Sequence, residues 1–367
     1  MTVCMFPGQG SQSKGMGAEL FDLFPELTAK ASEILGYPIR KLCLEDPQRQ
    51  LNNTRYTQPA LYVVSALAYR KRLRDGAARP GYFIGHSLGE YNALEAAGAV
   101  SFEDGLRLVN RRGELMAGAP PGAMAAVIGL TEAQLRAQLS QHGLDTVDVA
   151  NLNGFRQLIL SGLKEDIAAA STRFDGQEGV RFVQLNTSGA FHSRYMAPAR
   201  QAFDDFLQGI SFAEPEVPVI ANVDAAPYAF GQIRQNLSRQ ITHPVQWTRS
   251  IEWLLGHGET QFEEVGPGQV LAKLVAEIRK QAEVQIVVPA APRAEPAPRL
   301  SGSALAARIA QFNREVSVGT PVKAAGYDAA IRTRTQAMVL FGHRAAIYLE
   351  GYLGYFDLDD IRHSPAA

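Results

Sequence analysis

Residues 82–97 constrain this chain more than any other stretch. An apolar run, Tyr82-Phe83-Ile84, leads into Gly85-His86-Ser87-Leu88-Gly89, and a helix-like run from Leu88 to Ala97 follows. The pentapeptide has the form G-x-S-x-G. A strand that turns sharply into a helix lifts a serine hydroxyl above the sheet edge and brings backbone N–H groups to where an oxyanion would form. The glycines are required because a side chain would clash in so tight a turn. The pattern alone leaves open an incidental serine in a glycine-rich connection. The strand before it and the helix after it favour a nucleophile.

The surrounding chain fits an α/β fold. Val3–Phe6 reads as a strand, helical patterns follow at about 17–35 and 58–74, and the strand at 81–85 precedes the turn. Ser101 and Asp104 resemble a capping box that opens a helix through about Met116. Alternating strands and helices predict a parallel sheet covered on both faces. Residues 122–188 read differently, as β-α-β-β-α-β: Ala123–Leu130, a helix capped by Thr131, two strands around Asn153-Gly154, a helix at about 163–174, and a strand at Arg181–Leu185. That is the ferredoxin-like order, inserted into the larger domain. The expected division is a hydrolase-like α/β domain at 1–121 and 189–287, a ferredoxin-like subdomain at 122–188, a Pro/Ala-rich linker at 288–300, and a small β-rich appendage with one short helix at 301–367. The appendage is expected to resemble a minimal barrel, too short to bury much core without packing on another surface.

A serine hydroxyl needs a base. His192, in Gly189-Ala190-Phe191-His192-Ser193, stands where the inserted segment returns to the larger domain, a junction at which pockets form. His86 ranks second because neighbours on a tight turn diverge, and His243 third. No Asp or Glu presents itself as the orienting acid, so a backbone carbonyl is expected to hold the imidazole. The loop Gly8-Gln9-Gly10-Ser11-Gln12 lacks the last glycine of a dinucleotide fingerprint and the spacing of a phosphate loop. It is suited instead to supplying an oxyanion N–H. Of Arg111 and Arg112, at least one is expected on a solvated helix face; the other could clamp a substrate carboxylate through a planar, bidentate guanidinium.

Bulk properties narrow the classes. With 46% apolar residues among 367, the chain can bury a substantial core. A formal net charge of -1 gives no sign of a nucleic-acid partner. Two cysteines without metal spacing, and histidines without H-x-x-x-H spacing, give no metal site and suit a reduced, cytoplasmic compartment. The N-terminus carries no secretory pattern, and no uncharged stretch reaches membrane-spanning length, so no membrane association is expected.

Six motifs in order, FPGQGSQ at 6–12, GHSLGEY at 85–91, RRGELM at 111–116, AFHS at 190–193, PVQW at 244–247 and VGPGQVL at 265–271, resemble the malonyl-CoA:acyl-carrier-protein transacylase family. The likeness spans about residues 1–285 and extends to the free-standing, trans-acting acyltransferases of polyketide synthases. It implies malonyl transfer from malonyl-CoA to the phosphopantetheine thiol of an acyl carrier protein, by a ping-pong route through a malonyl-serine and without a cofactor. By resemblance Ser87 is the nucleophile and His192 its base. Arg112 binds the malonyl carboxylate, and the main-chain N–H groups of Gln9 and Leu88 form the oxyanion hole. The main-chain carbonyl of Gln246 orients His192. Asn151 and Asn153 fall in the family's N-x-N stretch near the cleft, and Asn153 is implied to bind substrate together with Arg112 and Phe191. AFHS, with Leu88 after the serine, implies malonyl rather than methylmalonyl selection, because Phe191 would crowd a methyl branch; one methyl is worth only about 1–3 kcal/mol. The competing readings are an acyl hydrolase that clears carrier proteins, which has no use for Arg112, a non-catalytic docking module, which has no use for an intact Ser87 and His192, and a generic esterase.

Overall fold

The computed structural model describes residues 2–229, 231–285, 302–324, 330–340, 344–350 and 355–362. β1 (Thr2–Phe6), β2 (Tyr82–Gly85), β7 (Val219–Ile220) and β8 (Gln261–Glu264) form a parallel sheet in the order β7-β2-β1-β8. Alternation between two covered faces explains why β2 and β7, and β1 beyond Thr2, lack polar positions, whereas β8, at the sheet edge, carries Gln261, Glu263 and Glu264. Cys4, Phe6, Phe83 and Val219 join the apolar cluster on one side of the sheet, and Val3, Met5, Tyr82, Ile84 and Ile220 join the cluster on the other. Both faces are covered, as parallel strands require. The fold is therefore mixed α/β with a parallel sheet at its centre.

The helix Thr54–Arg74 runs through the first cluster, so that Ala60 to Leu67 are buried all round. Its start is set by Asn53, whose side chain accepts from the Arg55 N–H at 3.1 Å. The helix Phe102–Ala117 packs beside it, with Ser101 accepting from the Asp104 N–H at 3.1 Å. The expected single helix at 17–35 is two, Ala18–Leu23 and Pro25–Leu35, because Pro25 offers no N–H to continue the first and suits the opening of the second. Two helices that the sequence reading does not place, Ala197–Gln208 and Ile233–Gln240, bury Ala199, Phe203 and Leu207, and Ile233 and Leu237, at the four-residue spacing of an amphipathic helix.

Residues 123–184 form an antiparallel sheet of β3 (Ala123–Ile128), β4 (Asp148–Gly154), β5 (Gln157–Gly162) and β6 (Arg181–Gln184), in the order β4-β5-β3-β6. The helices Glu132–Gln141 and Lys164–Phe174 cover one face, and the first opens on a complete Thr131/Gln134 capping box. Ala123, Ala125, Val127, Leu158 and Leu160 point to those helices, whereas Met124, Ala126 and Ile159 point the other way, into the core of the larger domain.

Contacts divide the chain into two units, Met1–Val287 and Val288–Ala367. The second has its own apolar cluster, with Leu305 of the helix Gly302–Glu315 against Val322, Ile347, Leu349 and Ile361. Its described strands form two three-stranded antiparallel sheets, Pro321–Ala324 between Ile331–Arg332 and Ile361–Arg362, and Arg344–Tyr348 between Met338–Leu340 and Tyr355–Asp357. The linker expected at 288–300 lies outside the described residues. Among those residues, no helix is long and apolar enough to cross a membrane.

Candidate active site

The turn between β2 and the helix Gly89–Ala96 leaves no room for side chains at its glycines. A Cβ on Gly85 would stand 1.9 Å from the Gly89 carbonyl carbon, and one on Gly89 would stand 2.0 Å from the Phe6 oxygen. Ser87 itself adopts φ 51°, in the left-handed region that a non-glycine residue rarely occupies. The surroundings hold it there. Asn222, beyond the end of β7, accepts from the Ser87 N–H at 2.7 Å and donates through Nδ2 to the Gly85 carbonyl at 2.7 Å. Strain fixed by neighbouring structure at a nucleophile is a recurrent feature of active sites.

His192 also sits at positive φ, 56°, and its Nε2 lies 2.7 Å from Ser87 Oγ. Nδ1 lies 2.7 Å from a main-chain carbonyl, so the ring carries its proton there and presents a lone pair to the serine. That carbonyl belongs to Gln240, which corrects the expectation of Gln246. The physical reason is helix polarity. Gln246 opens the helix Trp247–Gly256, and its carbonyl accepts from the Ser250 N–H at 3.0 Å and Ser250 Oγ at 2.9 Å. Gln240 closes the helix Ile233–Gln240, where the last carbonyls have no intrahelical donor and are free for a side chain. A helix ending just ahead of Thr242-His243-Pro244 is the signal in the sequence that could have pointed to Gln240.

The same glutamine touches the rest of the site. Its Oε1 accepts from Arg112 Nη2 at 2.9 Å, and its Nε2 donates to the Ser87 carbonyl at 2.9 Å and to Glu90. Arg112 Nη2 also reaches Ser87 Oγ at 3.0 Å, and Nη1 donates to Gln58 Oε1 at 2.7 Å. Gln58 in turn donates to Thr54 Oγ1 at 3.0 Å, which donates to Gln9 Oε1 at 2.8 Å and so ties the early loop to the arginine. Arg112 is 1% exposed and packs over the Tyr91 ring, yet no described carboxylate pairs with it and its Nε has no hydrogen-bond partner among the described residues. Arg111, by contrast, faces solvent beside Glu114.

Burial and the Arg112 charge push the pKa of His192 down to about 3, so the imidazole is neutral and basic in form near pH 7. Burial pushes the carboxyl of Glu90 up to about 7, against the opposing effect of the donors around it. His86 is turned away from the nucleophile: its Nε2 meets Asn153 Oδ1 at 2.8 Å, and its ring lies against Trp247. His243 Nδ1 meets the Arg239 carbonyl at 2.8 Å.

Ser87, His192, Arg112, His86 and Gln58 line a cavity of about 260 Å³ together with Gly8, Gln9, Leu88 and Phe191, and with Met124, Ala126, Asn151, Asn153, Gln157 and Ile159 of the antiparallel sheet. The main-chain N–H groups of Gln9 and Leu88 have no acceptor among the described residues. Asn151 Oδ1 is likewise buried and unpartnered among them. The cavity can therefore hold an acyl group against a serine, a neutral imidazole, two unused N–H donors and a buried cation.

The acyl transferase domain family matches residues 3–311. The chain belongs to that family. It is 52% identical over 284 residues, 77% of this chain and 98% of the relative, to the polyketide biosynthesis malonyl CoA-acyl carrier protein transacylase BaeC of Bacillus velezensis. It is 40% identical over 283 residues, 75% of this chain and 91% of the relative, to the malonyl CoA-acyl carrier protein transacylase of Escherichia coli K12. Among solved structures, the malonyl CoA-acyl carrier protein transacylase of Burkholderia pseudomallei superposes with a TM-score of 0.75 at 49% identity, covering 79% of this chain and 99% of that one.

Proposed function

We propose that this protein transfers a malonyl group from malonyl-CoA to the phosphopantetheine thiol of an acyl carrier protein, in polyketide biosynthesis. The observation that carries this reading is Arg112, a guanidinium 1% exposed, 3.0 Å from the nucleophile and without a carboxylate partner among the described residues. A buried charge left unpaired is costly, and the free carboxylate of a malonyl group is the anion that completes it. The names of the relatives point to the same donor and acceptor.

Ser87 Oγ attacks the thioester carbonyl as its proton passes to His192 Nε2. The negative charge that develops on the carbonyl oxygen is received by the Gln9 and Leu88 N–H groups. The C–S bond breaks, and the departing CoA thiolate takes the proton from His192. The carrier's thiol then gives its proton to His192, attacks the malonyl-serine ester, and regenerates Ser87 as the ester C–O bond breaks and Oγ recovers that proton. The Gln240 carbonyl holds His192 through both halves and stabilises the imidazolium. No step calls for a cofactor. Phe191, in the cavity wall, limits branching next to the thioester, and Asn153 acts by holding His86. Two buried free thiols, Cys4 and Cys43, suit a cytoplasmic setting.

Intact-mass spectrometry tests the reading directly. Malonyl-CoA should produce a malonyl adduct that is absent in Ser87→Ala, and the adduct should move to an added holo-carrier protein. Release of free malonate faster than transfer to the carrier would make the protein a hydrolase instead, and absence of any adduct would leave only a docking role.

A further inference from the structure

Glu90 is buried, ionisable and unused by the transfer steps. It follows the nucleophile on the first turn of the helix Gly89–Ala96 and is 1% exposed. Its Oε1 accepts from the Asn222 N–H at 3.0 Å and from the Tyr228 hydroxyl, and its Oε2 accepts from Gln240 Nε2. Two of these three partners can only donate, which suits a carboxylate.

The Gln240 contact has a directional consequence. A glutamine side chain has an acceptor end and a donor end of nearly the same shape, and only its neighbours decide which way it lies. Here the donor end faces two acceptors, the Ser87 carbonyl and Glu90, so the acceptor end faces Arg112 Nη2 at 2.9 Å. Reversal would set Nε2 against the guanidinium, donor against donor, and Oε1 against the carboxylate. Arg112 would lose one of the two amide oxygens that hold it, the other being Gln58 Oε1. An ionised Glu90 forbids that reversal, because it has no proton to offer Oε1. It also supplies a negative charge on the far side of the amide from a cation that has no direct counterion among the described residues.

We propose that Glu90 is a positioning residue that acts through the Gln240 amide to hold Arg112 where it can receive an acyl carboxylate, and so sets the preference for carboxylated acyl groups over plain ones. The inference rests on Arg112 being the group that reads that carboxylate.

The alternative is a purely structural Glu90, which braces the serine turn through Asn222. The two differ in what they predict for acyl groups without a carboxylate. The measurement is the rate of serine acylation by malonyl-CoA and by acetyl-CoA, at pH values from about 6 to 8, in which range a malonyl carboxylate stays ionised. The groups facing Glu90 are Tyr228 from the segment after β7, Tyr91 on its own helix, Arg112 from the helix Phe102–Ala117, and His192 across Gln240. Burial raises Glu90 to about 7, so the wild-type malonyl-to-acetyl ratio should rise with pH across this range. Glu90→Gln can donate to Gln240 and permits the reversed amide. Its malonyl rate should fall about tenfold more than its acetyl rate, and its ratio should no longer vary with pH. Equal loss for both substrates, or a ratio that keeps the wild-type size and pH dependence, overturns the proposal.

Should Glu90→Gln fail to fold, Tyr228→Phe retains the carboxylate and removes one of its donors. The pH at which the ratio rises should then move upward, and a ratio unmoved in pH overturns the proposal. Arg112→Ala, assayed alongside, separates the two levels. Equal loss of both substrates there removes the reading of Arg112 itself, whereas selective loss there with unselective loss in Glu90→Gln removes only the role of Glu90.

Discussion

The two sheets present different surfaces to one cavity. The parallel sheet brings hydrogen-bonded polar groups, in which Ser87, His192, Arg112, Gln240, Gln58 and Glu90 each fix the orientation of another. The antiparallel sheet brings Asn151, Asn153 and Gln157 at one end, and beside them Met124, Ala126 and Ile159, whose contacts have no direction. A change on the first side propagates through its partners, because an unmatched buried polar atom costs more than a lost contact gains. A change on the second side alters mainly the room available. The larger domain therefore carries the reacting and charge-reading groups, and the apolar face of the subdomain adjusts the room beside them.

The sharpest check on the polar side is Ser87→Ala, which should lower acyl-enzyme formation by about 10⁴-fold or more, read as loss of the mass adduct. Next is Arg112→Ala. Malonyl loading should fall about 100-fold and acetyl loading by less than about tenfold, measured as kcat/KM, since a charge-assisted contact is worth about 1.5–3 kcal/mol. On the boundary between the two sides, Phe191→Ala should raise the methylmalonyl-to-malonyl ratio by about tenfold in competition assays. On the apolar side, Met124→Ala should keep malonyl loading within about threefold of wild type while admitting longer acyl groups. A loss at Met124 as large as that at Arg112 would break the comparison.

The smallest effect is on stability against pH. His192 is lowered from 6.5 to about 3, so the unfolded chain binds its proton more readily, and this contribution is lost as pH falls from 6.5 through 3. Glu90 is raised from 4.5 to about 7, so its contribution is full below 4.5 and lost as pH rises through 7. Between 4.5 and 6.5 the two oppose each other. Urea unfolding of Glu90→Gln should accordingly show a deficit relative to wild type that shrinks as pH rises across that interval.

Much of the site was legible because local chemistry demanded it. Gly85 and Gly89 mark a turn that no other residue could make, and the apolar strand before them declares a buried sheet. The helix of Arg112 shows its buried face through Leu108 and Val109. Gln240 and Glu90 were not legible for the opposite reason. Each is an ordinary polar residue on a helix, and its value comes from partners far away in sequence: His192 for Gln240, and Asn222 and Tyr228 for Glu90. The same limit left Gln246 expected, by resemblance, in the place that Gln240 fills. Both glutamines flank Pro244, and only the direction of the two helices tells which carbonyl is free.

The sequence by itself determined the serine turn, the α/β order and the β-α-β-β-α-β insertion, because glycine sterics and the two- and four-residue periods act locally. The tertiary structure alone decided which carbonyl holds the imidazole and which way the Gln240 amide lies. It also decided that Arg112 is the buried arginine without a carboxylate partner among the described residues. Those choices depend on donors and acceptors meeting across elements far apart in the chain, at distances that only the folded packing sets.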